Sequence, residues 1–130
     1  MEQHRLTKQI KFIYHCKDMA LAYKISDIIV SASMEPEAFG RVAVEAQSME
    51  KLIIASNIGG SNETINDEKT GFLFYSGDAV SLSKKIIRGL TMDETSIKLM
   101  GKAGRSNIKK KFNVEKMCFS TYSEYKRLLN

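Results

Sequence analysis

The sequence predicts an α/β fold built on a parallel sheet, from three observations. Short apolar runs alternate with segments of helical periodicity along the 130 residues. Two of these runs, Asp27-Ile-Ile-Val-Ser31 and Leu52-Ile-Ile-Ala-Ser56, are apolar without alternation, the pattern of strands covered on both faces. The links between elements are short, and no internal repeat or linker interrupts them. A chain of this length makes one domain at most. Hydrophobic residues at 43% and charged residues at 27% argue against disorder, and one Pro with eight Gly argues against a collagen-like or low-complexity chain. No apolar run reaches the roughly 18 residues of a membrane span. The polar start, MEQHRLTKQ, predicts no secretory signal.

Each element has its own reason. Ile10–His15 is rich in β-branched and aromatic residues and reads as the first strand. Met19–Tyr23 reads as one or two helical turns, with Asp18 placed to cap them. Asp27–Ser31 is the next strand. Met34–Ala38 holds the only proline, Pro36, and is a loop. Val42, Ala43, Ala46 and Gln47 have helical spacing, so a helix opens near Phe39-Gly40 and runs to Ser48. Leu52–Ser56 is a strand, Asn57–Gly60 a turn, Ser61–Ile65 a short helix and Thr70–Tyr75 a strand. Asp78 caps a helix with Val80, Leu82, Ile86, Ile87 and Leu90 on one face. Ser96–Phe112 and Val114–Leu129 are two further helices, the last with an apolar stripe from Val114 to Leu129.

Cys16 and Cys118 read as reduced, buried thiols of a cytoplasmic protein rather than a disulfide framework. Two Cys and two His, His4 and His15, never cluster, so no zinc spacing exists. The net charge of +5 lies wholly in residues 91–130, which carry 9 Lys/Arg against 4 Asp/Glu. Such a segment suits an anionic partner, a membrane surface among them; it suits equally the solvated faces of amphipathic helices. No nucleic-acid motif accompanies it.

The segment that carries chemistry is Glu35-Pro-Glu-Ala-Phe-Gly-Arg-Val-Ala-Val-Glu45. It leaves a strand and enters a helix, where open α/β sheets place ligands. Free N–H groups near Phe39, Gly40, Arg41 and Val42 would point at an anion, with pyrophosphate the natural guest. Gly40 lets the anion reach the backbone. Glu37 precedes the helix and Glu45 lies about five residues into it, ~8 Å along the axis. That separation is too large for a dyad sharing a proton, and it suits two groups gripping hydroxyls on either side of a diphosphate. A carboxylate fits a vicinal diol such as ribose. Position alone also fits a solvated loop residue at Glu37 and a surface helix residue at Glu45. Gly59-Gly60 before Ser61 could bring backbone close to a ligand, or simply make a tight turn.

Glu37-x7-Glu45 around Ala38-Phe39-Gly40, Ala55-Ser-Asn-Ile-Gly-Gly-Ser-Asn-Glu63 and Thr70-Gly-Phe-Leu-Phe74 together resemble the donor-binding half of a family 4 glycosyltransferase, a retaining enzyme of the GT-B fold. The resemblance runs from about Phe12 to the end. It implies a partial Rossmann-like domain spanning residues 1–130 that binds a nucleoside-diphosphate sugar and transfers the sugar to a glycan or lipid-linked acceptor, as in the making of cell-envelope polysaccharide. It implies that Glu37 contacts donor-sugar hydroxyls and steadies charge developing at the sugar. Ala38 and the backbone of Phe39, Gly40, Arg41 and Val42 would hold sugar and diphosphate oxygens. Glu45 would bind the ribose, and Gly59 and Gly60 would line the acceptor cleft. No metal or other cofactor is implied.

Parts of the family pattern are missing. The N-terminal domain, the first two strands of the C-terminal domain and the basic pair that grips the diphosphate have no counterpart; Arg5, Lys8 and Arg41 stand elsewhere. Tyr14 stands where the family often has Gly, and its ring could fill the base pocket or stack on the base. The expectation is therefore a donor-binding piece that needs a separate N-terminal chain, or a remnant or fragment of such an enzyme without turnover of its own. The location expected is cytoplasmic, peripheral at the inner face of a membrane through residues 91–130. In the family's strand order 3-2-1-4-5-6, this chain would hold strands 3 to 6 as Ile10–His15, Asp27–Ser31, Leu52–Ser56 and Gly71–Phe74. Strand Asp27–Ser31 would then expose an apolar edge. Ile10–His15 could slide over to cover it, a second chain or copy could cover it, or the gap could stay open.

Overall fold

The computed structural model describes Leu6 and residues 8–129. Its elements follow as α1 (Met19–Ile25), β1 (Ile28–Ser31), α2 (Arg41–Ser48), β2 (Leu52–Ser56), α3 (Ser61–Thr64), β3 (Phe72–Phe74), α4 (Ala79–Thr91), α5 (Glu94–Lys111) and α6 (Val114–Leu129). The three strands form one parallel sheet in the order β1-β2-β3. Ile28 stands opposite Leu52, and Ile54 opposite Phe72.

The continuous apolar run of β2 is explained by its place at the centre, where all five residues are buried. Its alternate side chains feed two cores. Ile53 and Ala55 pack with Tyr23 of α1, Ala43 and Ala46 of α2, and Ile65. Leu52 and Ile54 pack with Phe72, Phe74 and Met100, flanked by Leu82 and Ile86 of α4. Helix starts are fixed by aspartates. Asp18 accepts from the Leu21 N–H at 2.9 Å, Asp78 from Val80 and Ser81 at 2.9 and 3.0 Å, and Asp93 from Ser96 at 2.9 Å. The Asp93 cap starts α5 at Glu94, two residues before the sequence reading placed it. The outer edge of β3 is blunted locally, because Asp67 accepts from the Leu73 N–H at 2.8 Å and the Glu68 N–H donates to the Gly71 carbonyl at 2.9 Å.

Three expectations are corrected. Strand β1 is not covered on both faces: none of its four residues is buried and Val30 is 40% exposed, because β1 stands at the edge of the sheet. Ile10–His15 forms no strand: Phe12, Ile13 and Tyr14 are 61%, 72% and 98% exposed. A strand needs a neighbour to hold its backbone groups, and among the described residues none pairs with this segment. Among the described residues β1 pairs only with β2, so its outer edge stays open. Cys16 and Cys118 are exposed thiols, not buried ones. Cys16 lies in the uncovered lead-in to α1, and Cys118 on α6, which buries none of its residues.

Candidate functional site

The site forms where three loops meet at the carboxyl end of the sheet. The loop after β1 carries residues 32–40 into α2, and the loop after β2 carries residues 57–60 into α3. They cross in direct contact. The Gly60 N–H donates to the Glu37 carbonyl at 2.8 Å. A Cβ on Gly59 would lie 2.5 Å from the Glu37 oxygen, and one on Gly60 2.4 Å from the Phe39 carbonyl carbon. Loop-to-loop contact therefore leaves no room for a side chain at either glycine, a reason that the sequence did not suggest, while Gly59, at φ +54°, also makes the tight turn that the sequence did suggest. From the third loop, after β3, the Ser76 hydroxyl donates to the Ser33 carbonyl at 3.2 Å.

Gly40 caps α2 in the left-handed conformation, φ +75°, which an L side chain rarely adopts. No side chain caps this end. Among the described residues the N–H groups of Phe39, Gly40, Arg41 and Val42 make no hydrogen bond. An unengaged helix N-terminus carries partial positive charge and free donors, which suit an anion.

The two carboxylates have different surroundings. Glu37 is exposed in its loop and accepts from the Ser33 hydroxyl. Glu45 sits on α2, one turn past Arg41. Its Oε1 accepts from the Arg41 guanidinium at 2.9 Å, and its Oε2 from the Tyr23 hydroxyl at 2.8 Å. These donors hold its carboxyl below the usual range, the Tyr23 hydrogen bond first, against a smaller opposing effect of burial. Tyr23 is pushed up to about 12, chiefly by burial and then by the carboxylate it serves. Tyr23 and Ser33 are the site residues that sequence reading missed. Tyr23 reads only as an apolar residue of a short helix, and 22 residues separate it from Glu45.

Ala38 and Phe39 lie in the loop and line the approach to α2. The Phe39 ring meets Phe112 edge to face, with centroids 5.5 Å apart, and helps line a cleft of about 400 Å³ with Val114 and Met117. Tyr14, 98% exposed, fills no pocket in this chain. Among the described residues no three His, Cys, Asp or Glu side chains gather as a metal-binding group. No described helix is long and apolar enough to cross a membrane.

An open parallel sheet with two loops clasped above its carboxyl ends, and a free helix N-terminus beside them, is the Rossmann-like architecture of GT-B glycosyltransferases. The chain belongs to the family described as glycosyl transferases group 1, whose model matches residues 1–107. It is 31% identical over 104 residues to the capsular polysaccharide biosynthesis glycosyltransferase CapM of Staphylococcus aureus, covering 80% of this chain and 27% of that protein. A glycosyltransferase crystal structure from Rickettsia africae ESF-5 superposes with a TM-score of 0.91 at 38% identity, covering 99% of this chain and 34% of that one. Anabaena Alr3699/HepE, solved in complex with UDP and glucose, superposes with a TM-score of 0.84 at 25% identity over 95% of this chain and 34% of that one. The chain spans about a third of the length of the relatives it matches.

Proposed function

We propose that this chain is the donor-binding part of a retaining glycosyltransferase, which takes a sugar from a nucleoside-diphosphate sugar to a glycan or lipid-linked acceptor. The observation that carries the reading is the unengaged N-terminus of α2, with four free N–H groups between two carboxylates. The diphosphate sits on the N–H groups of Phe39, Gly40, Arg41 and Val42, close to Ala38. As the bond from sugar to diphosphate breaks, negative charge grows on the leaving oxygen, and these fixed dipoles stabilise it without reorganising. Glu37 holds donor-sugar hydroxyls and steadies the positive charge at the sugar carbon. Glu45 holds the ribose diol, since two of its roughly four acceptor positions remain after Tyr23 and Arg41 are served. Gly59 and Gly60 wall the side where an acceptor hydroxyl approaches. The protein requires no metal in this reading. The UDP and glucose bound in the Anabaena relative support the donor class.

The chain acts with a complementary part, corresponding to the portion of its relatives that it does not span. Helix α6 supports this: Val114, Met117, Phe119, Tyr122, Tyr125, Leu128 and Leu129 are all at least 62% exposed. The open edge of β1 adds a second uncovered surface. A self-paired oligomer is the competing cover. The location proposed is cytoplasmic, at the inner face of a membrane, reached through the basic side chains within residues 91–130, with a cell-envelope polysaccharide as product.

The test is transfer from a nucleoside-diphosphate sugar, measured by release of the diphosphate. The purified chain alone is expected to be inactive, because no opposing wall excludes water or positions an acceptor. Mixing with the remaining two-thirds of the Rickettsia africae relative, expressed separately, is expected to restore transfer, and Glu37→Gln to abolish it. Turnover by the chain alone that Glu37→Gln abolishes would refute the need for a second part. Turnover indifferent to Glu37→Gln would refute the site.

A further inference from the structure

We infer that Tyr23 is a positioning residue for Glu45, its hydroxyl fixing one carboxylate oxygen so that the carboxylate presents a set pair of acceptor sites to a vicinal diol. The inference rests on the ribose-binding role proposed above for Glu45. It begins with the ring. Tyr23 is 4% exposed and packs among Ala43, Ala46, Ile53, Ala55 and Ile65. Phe would fill that apolar space equally well, so packing gives no reason for a hydroxyl. A buried tyrosine hydroxyl is tolerated when it finds a partner, and here the partner is the Glu45 Oε2 at 2.8 Å.

The two donors on Glu45 are unequal. Arg41 reaches Oε1 at 2.9 Å, but its side chain is 82% exposed. An exposed pair four residues apart on a helix is weak and fixes little. Tyr23 is anchored in the core and reaches Glu45 from a different element, α1. The hydrogen bond therefore ties the carboxylate to the sheet rather than only to its own helix. The Glu45 side chain keeps 35% exposure, so its remaining acceptor positions are open to a ligand. Donation from Tyr23 also favours the ionised carboxylate, which accepts from both hydroxyls of a diol and donates to neither.

The test compares wild type, Tyr23→Phe and Ile65→Val. The last loosens the same apolar cluster without touching the hydroxyl. The first readout is the titration of the Glu45 carboxyl followed by carbon-13 NMR, which needs no ligand. The second is the ratio of affinities for UDP and 2′,3′-dideoxy-UDP, measured by NMR at millimolar ligand. Tyr23→Phe is expected to raise the Glu45 titration midpoint and to cut the preference for the ribose form by roughly three- to tenfold, the loss expected for one hydrogen bond. Ile65→Val is expected to lower thermal stability and leave both readouts in place. Unchanged titration and unchanged preference in Tyr23→Phe would overturn the inference, as would equal changes in Ile65→Val. A shifted titration with no ribose preference in the wild type would overturn the ribose role of Glu45, and with it the purpose assigned to Tyr23, while leaving the coupling of the two side chains measured.

Discussion

Replacing Gly60 by Ala tests whether the two site loops are held together by contact. Gly60 has ordinary helical backbone, φ −60° and ψ −17°, so an L residue meets no torsional strain there. Its Cβ would nevertheless lie 2.4 Å from the Phe39 carbonyl carbon and 2.5 Å from the Phe39 oxygen. Carbon pairs settle near 3.5–4.0 Å, so the loops must part by about 1 Å. Both neighbours are backbone, which cannot rotate away as a side chain would. Overpacking of this kind costs about 1–3 kcal/mol, or roughly 4–12 °C in Tm for a chain of this size. Gly77→Ala is the control. Gly77 has φ +77° and open space around it, so it registers strain alone, about 1 kcal/mol. Urea unfolding followed by circular dichroism gives the stabilities, and nitrogen-15 NMR reads the Phe39, Gly40, Arg41 and Val42 amides. Those amides are expected to shift in Gly60→Ala and to stay in place in Gly77→Ala. Wild-type stability with unmoved amides in Gly60→Ala would refute the contact argument.

Three further outcomes are expected. Removing residues 114–130 should change the unfolding free energy little, by roughly 0.5 kcal/mol, the range of surface changes, since α6 buries no residue; a large loss in calorimetry would mean that α6 belongs to this chain's own core. Glu68 is held below its usual range by its hydrogen bond from Lys85 and, after it, by Arg88; a depressed folded-state value adds stability above the unfolded value near 4.3 that is lost as pH falls through the folded one, so Glu68→Gln should flatten the decline in stability below about pH 4, and an unchanged pH profile of urea midpoints would count against the pairing. Glu45→Ala should weaken UDP binding more than Glu35→Ala, because only Glu45 stands on the helix beside the free N–H groups; equal effects in an NMR titration would remove Glu45 from the site.

The legible parts of the fold are those in which one local signal suffices. The apolar runs Ile28–Ser31 and Leu52–Ser56 read as strands and form strands, though only Leu52–Ser56 is fully covered, and Asp18 and Asp78 each cap the helix that follows them. Ile10–His15 carries the same strand-forming residue types, yet strand propensity acts through a neighbour, and among the described residues none pairs with it. The cysteines were misjudged for a related reason. Burial depends on what covers a segment, and among the described residues Cys16 and Cys118 are exposed. At the site, Gly40 and the turn into α2 were readable from the position of glycine between strand and helix. The clasp of Gly59 and Gly60 on Glu37 and Phe39, and the hydroxyl of Tyr23 on Glu45, join residues about 20 apart in sequence. No periodicity or spacing encodes such a meeting, because the sheet creates it.

The central claim is that the α2 N-terminus receives a nucleoside diphosphate, and an NMR titration of the nitrogen-15 labelled chain with UDP tests it most directly. The account predicts saturable binding, with the largest shifts at the amides of Phe39, Gly40, Arg41 and Val42 and a loss of affinity in Glu45→Ala. No shift at those amides, or shifts confined to the Lys102, Arg105 and Lys109 face of α5, would contradict it.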